Sequence, residues 1–263
     1  MATLPRVSVL LAAYNAADTV AEALQSIGAQ EFRDWELIAV DDGSTDETRS
    51  VLLEFARADP RVRVIARDAN AGLAACLNLA LREARGEYVA RMDADDRAVA
   101  SRFGTQVAFL DRHPDVSILG AGAYEIDESG ELIGQLRRAE HHADLQRQIF
   151  AENPFIHPTI MARRTAFEAL GGYDTRLRRG QDYDLWLRAY PTFRFHNLPE
   201  PLIWYRRRRD PTWLDARFSA RILWSALLRE GALWKAPWLV GRPLVATALA
   251  LAARRPRRAP HAT

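Results

Sequence analysis

Two short acidic stretches contain the residue types that could hold a metal ion and a diphosphate. The run Arg91-Met92-Asp93-Ala94-Asp95-Asp96 follows a strand-like segment, residues 87–90, and precedes a helix-like one. If extended backbone continues through it, Asp93 and Asp95 lie two apart on one face and offer two carboxylates to one point. Such a pair suits Mg²⁺ or Mn²⁺, hard cations that take oxygen ligands from one or two carboxylates, water and substrate phosphates. The plainer alternative is a turn in which Asp96 caps the next helix. A second run, Asp41-Asp42-Gly43-Ser44-Thr45-Asp46, also follows a strand-like segment. There Gly43 supplies a permissive turn backbone, and Asp41 or Ser44 is placed to cap the helix expected over residues 45–58.

Positioning these clusters requires alternating strands and helices. Hydrophobic patterning predicts strands over residues 7–11, 36–40, 62–66 and 87–90, with helices over 17–29, 45–58 and 73–84 between them. That order implies an α/β fold with a largely parallel, Rossmann-like central sheet covered by helices. In such sheets ligands bind at the carboxyl ends of the strands, where residues 12–15, 41–44 and 93–96 should converge. No Gly-x-Gly-x-x-Gly fingerprint follows the first strand, which disfavours a dinucleotide-binding domain.

The 263 residues suffice for one large domain plus an extension. The formal net charge of +2 comes from mixed signs and provides no global basic field for nucleic acid. Cys76, the single cysteine, lies in an apolar helical run and reads as a buried thiol, with no intramolecular disulfide available. The first strand begins almost at the amino terminus without a charged, apolar and cleavable leader, so a cytoplasmic protein is expected.

Five ordered blocks resemble the family 2 glycosyltransferases. They are the stretch from Val7 to Asn15, Val40-Asp41-Asp42-Gly43-Ser44-Thr45-Asp46, Asn70-x-Gly72 with Asn78, Met92-Asp93-Ala94-Asp95-Asp96, and the run from Gln181 to Arg188. The resemblance covers about the first two hundred residues. It implies a GT-A fold, inverting transfer from a nucleotide-activated sugar, and a divalent metal.

Carried over position by position, the resemblance makes Asp42 the contact to the nucleotide base. A carboxylate there can accept from N3–H of uracil or thymine, pointing to a UDP- or dTDP-sugar. Ala12, Ala13 and Tyr14 would line the same pocket, and Asn78 is a candidate contact to its nucleotide end. Asp95 first and Asp93 second would hold the Mn²⁺ or Mg²⁺ that neutralises the leaving diphosphate. Asp182 corresponds to the base that takes the acceptor proton, with Asp184 as its fallback; a helix-capping role is the competing reading. His157 is placed to orient the acceptor or touch the diphosphate, and Arg206 to reach the donor phosphates. Two departures stand out: Ala100 occupies a position where the family often has proline, and Gln181 one where glutamate is common.

Residues 1–208 are read as the GT-A domain and 209–263 as a helical, Trp- and Arg-rich extension. The extension contains Trp213, Trp224, Trp234 and Trp238, and its last apolar run, residues 243–253, is too short to span a bilayer. Tryptophan beside arginine suits peripheral contact with anionic lipid at the cytoplasmic face. No Gln-x-x-Arg-Trp motif follows Asp182, so one sugar per encounter is expected, onto a glycan or lipid-linked acceptor of the bacterial cell surface. Two rivals share the fold class. A nucleotidyltransferase should show a glycine-rich phosphate loop after the first strand, and residues 12–17 supply none. A non-catalytic sugar-nucleotide or membrane-binding module would bind without turnover.

Overall fold

A computed structural model describes residues 4–207 and residue 222. Its first half is a run of strand-helix units: β1 (Val7–Ala13), α1 (Val20–Gly28), β2 (Trp35–Asp41), α2 (Thr48–Ala58), β3 (Val62–Ala66), α3 (Leu73–Glu83) and β4 (Tyr88–Asp93). The second half comprises β5 (Arg97–Ala98), α4 (Arg102–Arg112), β6 (Val116–Ile126), β7 (Leu132–Leu136), α5 (His142–Gln148), a 3₁₀ turn (His157–Thr159), β8 (Met161–Arg163), α6 (Arg164–Ala169), α7 (Gln181–Ala189) and β9 (Arg194–Arg206).

All nine strands form one sheet in the order β3-β2-β1-β4-β8-β6-β9-β5, with β7 paired to β6. The expected parallel pairing holds from β3 through β4. Beyond β4 the sheet is mixed: β8 runs antiparallel to both β4 and β6, while β6 and β9 are parallel. A parallel sheet covered on both faces reads as near-continuous apolar runs, and β2 is buried along its whole length. Side chains alternate between faces. Val7, Val9 and Leu11 join α1, α2 and α4 in one core layer; Leu10, Ile38, Val40 and Val89 join α3, α5, α6 and α7 in the other. In α1, Val20, Ala23, Leu24 and Ile27 are buried at helical spacing.

Register levels the carboxyl ends of the central strands. Ala13 pairs with Asp41, and Ala12 pairs with Asp93, so both acidic clusters emerge at one sheet edge. The far half of the sheet secures that edge: Arg97 in β5 pairs with Trp204 in β9, and Ile126 in β6 pairs with Arg206. The expected extension over residues 209–263, with its membrane contact, lies outside the described residues except for Ile222, which is buried in the core layer of α7. Among the described residues, no helix is long and apolar enough to cross a membrane.

Candidate active site

The acidic run after β4 closes into a turn instead of continuing as strand. β4 ends at Asp93, so it is the turn that brings Asp95 beside Asp93, and it brings Asp96 with them. Carboxylate oxygens of Asp93, Asp95 and Asp96 lie within 4.8 Å of one another. Asp96 does not cap the next helix, whose N-cap is Ser101. It is buried; its Oδ1 accepts the Arg206 backbone N–H at 2.8 Å, and its Oδ2 is buried without a hydrogen-bond partner. Burial, and then the charges of Asp93 and Asp95, push the Asp96 carboxyl well above the usual carboxylate range. Three converging carboxylates, one with an orphaned oxygen, match the oxygen donor set of Mg²⁺ or Mn²⁺.

Arg206 holds this turn from β9. Its Nε donates to the Asp95 carbonyl at 3.0 Å, Nη1 to the carbonyls of Asp127 (3.2 Å) and Glu128 (2.7 Å), and Nη2 to Glu22 Oε2 (3.1 Å). The guanidinium expected to reach donor phosphates is therefore committed to protein acceptors. Its observed contacts shape the acidic turn.

Asp42 is buried at the end of β2 and accepts the backbone N–H groups of Ala71 and Gly72 at 2.9 and 2.8 Å, one on each oxygen. Arg67 Nε lies 3.3 Å from it. The carboxylate thus fixes the start of α3. Neither Asp41 nor Ser44 caps α2. Asp41 pairs with Arg49 at 2.7 Å and accepts the Ser44 N–H, while Ser44 Oγ accepts the Asn15 N–H at 3.0 Å. Asn15 has φ of 47°, and its Oδ1 accepts the Thr45 N–H at 2.9 Å, tying the loops after β1 and β2 together. Ala12 is partly buried at the level of Asp93, and Tyr14 stands half-exposed beyond the strand end. Cys76 is buried as expected, its thiol pushed up to about 12 by burial and by Asp42.

Asn78 is engaged by protein backbone. Its Nδ2 donates to the Tyr173 carbonyl and its Oδ1 accepts the Tyr173 N–H, both at 2.8 Å, so the amide is spent on one residue's backbone. Gly172, at φ of 74°, has to be bare because a Cβ there would strike Asn78 Oδ1. From α7, Arg188 donates to the carbonyls of Leu170 (2.6 Å) and Gly172 (2.7 Å), and its Nε pairs with Asp184 at 2.9 Å. Asp184 is buried in that pair, its Oδ2 engaged by Arg188.

Asp182 stands in the first turn of α7, where helix-start N–H groups favour a carboxylate. Asn153 Nδ2 donates to its Oδ2 at 2.6 Å. Burial raises the carboxyl above its ordinary range; Asn153, the helix-start amides and the Arg91 charge pull it partway back. His157, in the 3₁₀ turn, has Nε2 3.0 Å from the Tyr173 hydroxyl and packs edge-on to Trp186. Burial and the charge of Arg91 keep it neutral, well below the usual imidazole range.

Sequence reasoning singled out neither Arg91, Asn153, Tyr173 nor Arg188 as functional. Arg91 is buried on β4, forms an ion pair with Asp93, and its charge also reaches Asp182 and His157. Arg91 and Arg188 lie inside the quoted motifs and Asn153 and Tyr173 outside them, and residue type alone marked none of the four. The acid cluster and Asp182 are thus linked through one buried cation.

Residues 8–171 match the model for glycosyl transferase family 2. The chain is 39% identical over 210 residues to the putative glycosyltransferase EpsE of Bacillus subtilis, covering 78% of this chain and 74% of that one. It is 30% identical over 217 residues to the O-antigen biosynthesis glycosyltransferase WbnJ of Escherichia coli, covering 81% and 84%. Among solved structures, S. aureus TarS (residues 1–349) in complex with UDP-GlcNAc superposes with a TM-score of 0.69 at 23% identity, covering 85% of this chain and 66% of that one. This chain thus spans just under two thirds of the TarS fragment. The mannosyltransferase PcManGT of Pyrobaculum calidifontis, in complex with GDP-Man and Mn²⁺, gives 0.65 at 22% identity, covering 96% and 77%. Those likenesses establish the GT-A fold, with its helix-flanked central sheet. With the family model spanning every strand from β1 to β8 and the acidic turn among them, the chain belongs to glycosyltransferase family 2.

Proposed function

We propose that the protein transfers one sugar, with inversion and with the help of Mn²⁺ or Mg²⁺, from a nucleoside-diphosphate sugar to an acceptor hydroxyl. The observation that carries this reading is that two unlike acidic sites share the field of one buried cation, Arg91. Asp93, Asp95 and Asp96 form a clustered, partly unsatisfied oxygen donor set, and Asp182 is a lone carboxyl raised by burial. One set suits a cation and the other suits a proton.

In this reading Asp95 and Asp93 hold the metal, which supplies Lewis-acid stabilisation of the departing diphosphate. Asp42 accepts from the pyrimidine N3–H of UDP or dTDP while keeping Ala71 and Gly72 in place. Ala12 and Tyr14 border that pocket. Asp182 removes the acceptor proton as the hydroxyl attacks the anomeric carbon from the side opposite the diphosphate, and Asn153 fixes the carboxylate's direction. A base whose carboxyl lies above the ordinary range accepts that proton more readily than an exposed aspartate. Relatives named for O-antigen and amylovoran biosynthesis support an acceptor in cell-surface polysaccharide or glycolipid assembly. Asn78 and Arg206, given their contacts, act in positioning and not in substrate binding.

The test is Mn²⁺-dependent binding and slow hydrolysis across UDP-, dTDP- and GDP-sugars, with Asp95→Ala and Asp182→Asn in parallel. One donor should bind only with metal, lose binding in Asp95→Ala, and keep binding but lose turnover in Asp182→Asn. Failure of every nucleotide sugar to bind with metal present would sink the donor-site assignment. Binding without turnover across acceptors would make the protein a binding module.

A further inference from the structure

The loop from Leu170 to Tyr173 is held more firmly than a connection between two helices requires. Asn78 in α3 engages both backbone groups of Tyr173, and Arg188 in α7 engages the carbonyls on either side of Gly171. The clamp delivers one polar atom, the Tyr173 hydroxyl, to His157 Nε2 at 3.0 Å. Tyr173 is 3% exposed, and His157 is its hydroxyl's hydrogen-bond partner among the described residues.

A neutral imidazole carries one ring proton, and its position is set by what the other nitrogen bonds. Two arrangements fit a 3.0 Å contact. If Nε2–H donated to the phenol oxygen, the buried phenol proton would be left without an acceptor, a costly outcome. If the phenol donates to Nε2, that proton is satisfied and the ring proton moves to Nδ1. Among the described residues, Nδ1 has no hydrogen-bond partner.

We propose that Tyr173 is a positioning residue that locks His157 as the Nδ1–H tautomer, so that the imidazole presents a hydrogen-bond donor to a substrate oxygen. The inference rests on the reading of this edge as a sugar-transfer site, and it adds a residue and a proton location to that reading. A charged imidazolium would donate from Nδ1 without help, but burial and the nearby Arg91 keep the ring neutral. The tautomer lock supplies a donor without placing a second cation beside Arg91. Charged and titratable groups around the ring are Arg91 on β4, Tyr173 in the clamped loop and, acting on Tyr173, Asp182 on α7 and Asp93 on β4.

The experiment is ¹⁵N NMR of the histidine rings in the full-length protein, with His157→Gln to assign the signal, followed by Tyr173→Phe, which removes only the hydroxyl. Wild-type His157 should show a protonated Nδ1 and an unprotonated Nε2 near neutral pH. Tyr173→Phe should shift the ring toward Nε2–H and lower kcat about tenfold, roughly one hydrogen bond's worth, with donor affinity unchanged. An Nε2–H ring in the wild type, or a Tyr173→Phe protein with unaltered ring signals or full kcat, overturns the proposal. The spectrum needs no substrate, so it decides the tautomer even if the donor-binding panel rejects the transferase reading.

Discussion

The Asn153 side-chain N–H reaches Asp182 Oδ2 at 2.6 Å, joining the loop before the 3₁₀ turn to the first turn of α7. Burial raises the Asp182 carboxyl, and this hydrogen bond opposes it by favouring the ionised form. A base works only above its own pKa, so the acidic limb of the rate profile reports this balance. In Asn153→Ala the opposing bond is gone, the carboxyl rises further, and the acidic limb should move to higher pH. A profile of kcat/KM that does not move, or moves to lower pH, would contradict the assignment of Asp182 as the base.

The Arg206 guanidinium supports the acidic turn through the Asp95 carbonyl, while the backbone N–H that Asp96 accepts stays in place when the side chain is removed. Groups that orient metal ligands typically cost about 10–100-fold in metal affinity when removed. Arg206→Ala should weaken Mn²⁺ binding by about that factor in the absence of any nucleotide sugar. A variant with normal Mn²⁺ affinity and weakened donor affinity would instead restore the phosphate-contact role expected from sequence.

Asn78→Ala leaves the Tyr173 N–H and C=O without partners, at about 1–3 kcal/mol for each orphaned group. Gly172→Ala forces a side chain into a φ of 74° and against the same amide, with strain of about 1–3 kcal/mol. Denaturant midpoints should fall in both variants. Because the two share one contact, the double mutant should be less destabilised than the sum.

At the opposite end of the strands, Glu36 accepts from Ser8 Oγ (2.7 Å), the Arg85 N–H (2.9 Å) and Arg85 Nη2 (2.7 Å). Burial acts to raise this carboxyl, but the hydrogen bonds win and hold it below its ordinary value. A folded-state pKa below the unfolded one adds stability above the unfolded value and loses it as pH falls through the folded value. Glu36→Gln should therefore be less stable than wild type at neutral pH, with the gap closing on acidification. Equal stability at neutral pH would remove Glu36 from the account.

The strand-helix order of the first ninety residues was legible because it is local. A buried parallel strand needs a short apolar run, an amphipathic helix needs helical spacing, and both repeat within ten residues. The strand over residues 62–66 has the expected limits, while α1 and α2 begin three residues late because loop contacts from Asn15, Asp46 and Thr48 occupy their expected first turns. The mixed half of the sheet was not legible. β6 pairs with β9 across some eighty residues, and no local pattern encodes that partner.

Residue type and motif order determined which side chains were candidates for the chemistry: two acidic runs at strand ends, a carboxylate at a helix start and a lone histidine before β8. Tertiary structure decided what each is free to do. Asn78 and Asp184 sit in motifs, yet their polar atoms are consumed by Tyr173 and Arg188; Arg206 is consumed by carbonyls of the acidic turn. Asp182 is held by neutral donors, Asn153 and helix-start amides, and Asp96 keeps an unpartnered oxygen. The reason is physical: a buried polar atom has few bonding directions, and whether a protein neighbour or a substrate fills them depends on segments that meet only in the folded chain.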